Sequence, residues 1–139
     1  MKTILKDGRR YILRFDKGEE VLSKLGEFLQ SEQIGACTFS AVGAVIDLEM
    51  GFFNVHVKDY RKKIFLEEFE MVSLNGNGSV VDGKPFIHAH GMFGRNDFTT
   101  VGGHVFKLTV SVTCEMFLIK LDGQISRTNN EEFNLKLLE

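Results

Sequence analysis

Most of the chain falls into short runs rich in small, β-branched and aromatic residues between turn residues, the rhythm of successive β-strands. "YILRF" (11–15) reads as a strand. The next segment, "DKGEEVLSKLGEFLQSEQ", breaks that rhythm. Val21, Leu22, Leu25, Phe28 and Leu29 recur at helical spacing and would line one face. Asp16 with Glu19 three residues later resembles a capping box, and Gly35 is a plausible stop. Gly26 within the helix suggests close packing. From Ala36 the pattern returns to strands. "ACTFSAVGAVIDLEMGFFNV" predicts two of them, with Gly43 at a bulge or close backbone contact. "YRKKIFLEEFEMVSL" predicts one long strand, and "LNGNGS" (74–79) reads as strand and turn. Asp82-Gly83 suits a two-residue type I′ hairpin turn between "GSVV" and "KPFIHAHGMF". "GHVFKLTVSVTCEMFLIKL" predicts a long strand bent near Thr113, and "EEFNLKLL" a final one. One helix and about eight strands imply an α+β domain, mainly antiparallel sheet, spanning residues 1–139 as a single unit.

Composition narrows the function classes. Hydrophobic residues make up 43% and charged residues 26%, the balance of a globular chain. Net charge is −2, without the basic excess that phosphate neutralisation gives a dedicated nucleic-acid binder. Cys37 and Cys114 lie in apolar runs and are expected as two buried thiols in a reducing cytoplasm. The first residues, "MKTILKDGRRY", lack the apolar run of a signal peptide, and no stretch approaches the ~18 apolar residues of a membrane span.

Three of the four histidines fall between residues 85 and 106. On a strand, i and i+2 share a face, so His88 and His90 project together. A hairpin centred near Asn96 would set His104 roughly opposite His88. Three neutral imidazoles then converge, a donor set that suits zinc and equally nickel, cobalt or iron. Gly102 and Gly103 would let the backbone approach beside such an ion. The same face carries Phe86, Met92 and Phe106, so packing of the imidazoles against an apolar layer explains the spacing as well.

The run "FEMVSLNGNGSVVDGKPFIHAHGMFG", followed by "VGGHVFKLTVSVTCEMFL", resembles the plants-and-prokaryotes-conserved (PPC) domain. The likeness rests on a strand ending in S-L-x-G, the D-G-K-P turn, H-x-H, G-G-H and the triplet Thr113 to Glu115. Upstream, "GEEVLSKLGEFLQSEQIGACTFSAVGAV" is similar to the family's helix and following strand. The resemblance implies an α+β domain assembled as a homotrimer. It also implies zinc or another divalent transition metal on His88, His90 and His104, and a candidate DNA-binding role. The plant proteins carry an AT-hook, whereas Gly8-Arg9-Arg10 lacks the R-G-R-P core.

Glu115, among apolar neighbours, is a candidate for supporting a metal histidine or acting as a general base, although an ion pair with an arginine explains it more simply. Its strand parity is out of phase with His104 unless a bulge intervenes. Lys58, Arg61, Lys62 and Lys63 form a basic run that could contact phosphate or guard a sheet edge. His56 has no ligand-spaced neighbour, and no G-x-S-x-G elbow or Walker loop is present. The expectation is a small cytoplasmic, homotrimeric, metal-binding domain acting as a binding or regulatory module, with weak and non-specific DNA contact. The alternative is a three-His zinc enzyme that activates water for hydrolysis or lyase chemistry.

Overall fold

The computed structural model describes residues 1–139. In chain order it comprises β1 (Lys2–Asp7), β2 (Arg10–Asp16), α1 (Val21–Ser31), β3 (Cys37–Asn54), β4 (Asp59–Phe65), β5 (Phe69–Val81), β6 (Lys84–Gly94), β7 (Thr100–Lys120), β8 (Arg127–Asn130) and β9 (Leu135–Leu138). Seven strands form one sheet in the order β1-β2-β7-β6-β5-β3-β4, every pairing antiparallel. β3 also pairs with β7, so β3, β5, β6 and β7 close into a ring. β8 and β9 form a separate two-stranded ribbon. The expected α+β architecture is therefore present, and α1 is too short and too polar to cross a membrane.

Ring closure depends on the two longest strands, which bend where their register slips. Val45 pairs with Val110 and Gly43 with Cys114, so β7 carries two more residues than β3 across this interval. The bend anticipated near Thr113 is this bulge. A Cβ at Gly43 would stand 2.2 Å from the Thr113 carbonyl oxygen, so only glycine admits the contact.

Several elements differ from the sequence reading. Residues 37–54 form one strand, not two, because the bulge bends the ladder without ending it. The run from Tyr60 to Leu74 is split at residues 66–68, where the chain passes from the β4 edge to the β5 side of β3. The segment 74–79 is entirely strand. β1 was not anticipated, and of the final predicted strand only Leu135–Leu138 is extended. The Asp82-Gly83 turn is as expected, with positive φ at both residues and Val81 paired to Lys84.

Both helix ends use residues other than those foreseen. Glu19 does bond the Asp16 amide, but that closes a turn, and Glu19 also takes the N-terminal ammonium. The N-cap lies four residues beyond Asp16, where the Glu20 carboxylate accepts from the amides of Leu22 and Ser23. It stops at Gln33, which adopts a left-handed φ of 52°, while the Ile34 amide donates to the Leu29 carbonyl. Gly35 lies beyond that stop. Val21, Leu25, Phe28 and Leu29 are buried against the sheet, and a Cβ on Gly26 would meet only Ile87, at 3.9 Å.

The helix covers one face of the sheet. A core of 26 buried residues lies there, including Leu13, Phe15, Phe39, Leu74, Phe93, Met116 and Leu118. Side chains of this size contribute roughly 1.5–3 kcal/mol each when fully buried. The opposite face of the sheet has no helix. Its residues alternate with the core positions, and they include Thr38, Ser40, Asn75, Asn77, His88 and His90.

Candidate metal centre

His88 and His90 stand side by side on β6, and His104 reaches them from β7. The three rings form a near-equilateral triangle, with centroids 5.1, 5.1 and 5.3 Å apart. One ligand nitrogen from each lies within 4.8 Å of the other two. His104 pairs with His90, not His88. Gly94 pairs with Thr100, so the hairpin is centred one residue later than expected, at Asp97. That displacement moves the register by two residues and preserves the shared face.

The surroundings favour neutral imidazoles. His104 packs against Tyr60 and Phe106, at ring distances of 4.9 and 4.5 Å. Burial, followed by the charges of His88, His90 and Lys62, lowers its pKa from 6.5 to about 4. Burial also lowers the pKa of His88, with His90 and Arg127 acting in the same direction. His104 Nδ1 is buried and has no hydrogen-bond partner. Such an orphan is costly unless something outside the chain satisfies it. Three adjoining imidazoles, one with a buried unpartnered nitrogen, fit a divalent transition metal. The neighbouring glycines serve the strands instead. A Cβ on Gly103 would lie 2.9 Å from the Gly51 carbonyl oxygen, and one on Gly102 3.2 Å from that of Gly91.

A cleft of about 550 Å³ opens beside His88 and His90. Two cross-strand rows build its floor. One runs from Phe117 through Ser40 and Asn75 to His90; the other runs from Ile119 through Thr38 and Asn77 to His88. Asn75 and Asn77 were missed as site residues. Their i, i+2 spacing, the same signal that paired the histidines, marks them once 74–79 is recognised as strand.

The sequence profile of the Plants and Prokaryotes Conserved (PCC) domain matches residues 3–122. The chain belongs to this PCC-domain family. Several solved structures share its fold. A metal-containing protein from Archaeoglobus fulgidus is 35% identical with a TM-score of 0.89, covering 100% of this chain and 99% of its own. A plant- and prokaryote-conserved protein from Pyrococcus horikoshii is 33% identical with a TM-score of 0.90, covering 100% and 97%. A "putative DNA-binding protein" from Bacteroides thetaiotaomicron is 28% identical with a TM-score of 0.93, covering 97% and 94%. A comparison with curated proteins gave no match.

The remaining candidates fall elsewhere in the PCC domain. Glu115 is exposed, not buried, and sits opposite Arg14 on β2 and Val42 on β3. Arg14 itself pairs with Asp16, at 3.0 Å. Glu115 does not line the cleft. Of the basic run, Arg61, Lys62 and Lys63 line one cleft along β4, and Lys58 stands apart from them. Lys58 occupies the turn before β4, with φ 53°. Arg61 and Lys63 alternate with Lys62 along β4, and Lys62 is engaged by Glu49 at 3.2 Å and by the Phe106 ring at 3.9 Å. His56 is exposed in the turn between β3 and β4. Both cysteines are buried free thiols, with pKa values raised by burial to about 11 for Cys37 and about 12 for Cys114.

Proposed function

We propose that this PCC domain binds one divalent transition-metal ion, zinc foremost, through His88, His90 and His104, and works as a homotrimeric binding or regulatory module. The observation that carries the reading is the convergence of three imidazoles, beside which His104 Nδ1 is buried and unpartnered. The metal-containing relative from Archaeoglobus fulgidus supports it. When bound, the ion supplies a Lewis-acidic centre at the edge of the cleft. The chain's own part is to lower the pKa values of His88 and His104 by burial and to keep Tyr60 and Phe106 packed against His104. Elemental analysis of untagged protein is expected to give about one metal per chain, and His88→Ala, His90→Ala or His104→Ala to remove it. Stoichiometric loading of the triple variant would refute the assignment.

A binding module is favoured over a hydrolase or lyase because no carboxylate lines the cleft to act as general base. Trimerisation is supported by the helix-free face, where Val42 and Met92 stand exposed outside the cleft. Light scattering should give three times the 15.7 kDa chain mass; a monomer at micromolar concentration would refute it. DNA contact is a second reading, supported by the name of the Bacteroides relative. With a net charge of −2 and the basic run divided between two faces of β4, that contact is weak, non-specific and salt-labile. Titration with random and AT-rich duplexes at two salt concentrations tests it. Arg61→Ala with Lys63→Ala should remove most of the binding, and salt-resistant affinity for one sequence would contradict it.

A further inference from the structure

The cleft beside His88 and His90 has a chemical bias that the histidines do not explain. Ten residues line it and none is acidic, in a chain with 19 aspartates and glutamates. Ser40, Asn75 and Asn77 give one polar wall, while Phe117 and Ile119 give an apolar end. Behind Asn77 lies Arg127, only 9% exposed. Its guanidinium donates to Ser79 Oγ, the Lys136 carbonyl and Asn77 Oδ1, each at 2.8 Å. All three acceptors are neutral, so a buried cation stands beside the cleft without a counter-charge.

The bond to Asn77 also fixes the polarity of the wall. A guanidinium only donates, so Asn77 must turn its oxygen to Arg127 and keep its NH2 group as the free end. An amide donor, an uncompensated cation and no carboxylate together select a ligand that is negatively charged and accepts hydrogen bonds. Imidazole ligands are neutral, so an ion held by them would add its full positive charge on the same side. The volume of about 550 Å³ suits a small molecule.

We infer that this cleft binds a small organic carboxylate, with its anionic end toward the histidines and the Asn75 and Asn77 amides and its apolar end against Phe117 and Ile119. The inference rests on the metal reading for part of its charge and on Arg127 and Asn77 for the rest. The probe is isovalerate, with isovaleramide as its neutral isostere. Each is titrated into the zinc-treated and the zinc-free protein while the side-chain amide resonances of both asparagines are followed. Isovalerate should shift those resonances and bind at least about tenfold tighter than isovaleramide. Asn75→Asp, at an exposed position that leaves the fold intact, should weaken isovalerate by about tenfold or more while zinc affinity is kept or increased. Equal binding of acid and amide, or indifference to Asn75→Asp, overturns the inference. If zinc binds and isovalerate does not, the carboxylate site alone is lost. If isovalerate shifts the asparagines in a protein that takes no zinc, the metal reading falls and the carboxylate site stands. If neither binds, both fall.

Discussion

Replacing Arg127 with Met should unfasten the β8–β9 ribbon from the sheet. Three hydrogen bonds leave with the guanidinium, each from a charged donor and worth roughly 1.5–3 kcal/mol. Removing a buried cation that lacks a counter-charge relieves several kcal/mol of desolvation in return. Ser79 is 1% exposed and loses a donor that water cannot readily replace, although its own bond to the Phe86 carbonyl survives. The net cost comes to about 3 kcal/mol, the order expected when a buried polar network is broken. In urea, with a slope of about 2 kcal/mol/M, the midpoint should fall by about 1.5 M. Arg127→Lys is the informative control. It keeps the charge, but one ammonium cannot span three acceptors in a planar fork, so it should lose about 2 kcal/mol. Hydrogen exchange should show protection in residues 127–138 falling first. An Arg127→Lys protein within about 0.5 kcal/mol of the parent would show that the charge, and not the fork, holds the ribbon.

Other predictions follow from the packing around the strands. Gly76→Ala should cost more than about 2 kcal/mol and weaken metal binding, because its Cβ would lie 2.3 Å from the His88 carbonyl oxygen and 2.5 Å from the Phe39 ring; calorimetric unfolding and zinc titration read the two effects. Gly26→Ala should do the reverse and stabilise by roughly 0.5–1 kcal/mol, since its Cβ meets only Ile87 in an otherwise helical stretch. Cys37 and Cys114 should resist a thiol reagent at pH 8 until the protein unfolds, when both react. Their folded pKa values, about 11 and about 12, exceed the ordinary 9.0, so the unfolded chain releases these protons first. Their contribution to stability is complete below that ordinary value and declines as pH rises through it, which alkaline urea titrations can follow.

The histidine site was legible because strand parity is robust. A hairpin displaced by one residue still returns His104 to the face of His88 and His90. The amide wall was not legible, since alternating asparagine and glycine in 74–79 resembles a turn until neighbouring strands claim it. Glu115 misled for a related reason. "TCEMFLI" looks buried on both faces, yet Phe117 is exposed and only Cys114, Met116 and Leu118 point into the core. The basic run read as one stretch in sequence, but consecutive residues on β4 point in opposite directions and meet only along its edge. Arg127 gave no local signal, since it meets Asn77 across 50 positions of sequence.

That last contact gives the ribbon a part in choosing the guest. The matched domain ends at residue 122, and Arg127 follows it. An acceptor at position 127, such as glutamate, would take the NH2 of Asn77 and turn its oxygen into the cleft. The wall would then offer a lone pair in place of a proton and favour donor or cationic guests. One substitution in the ribbon would thus reverse the Asn77 end of the wall, leaving every residue of the matched domain unchanged.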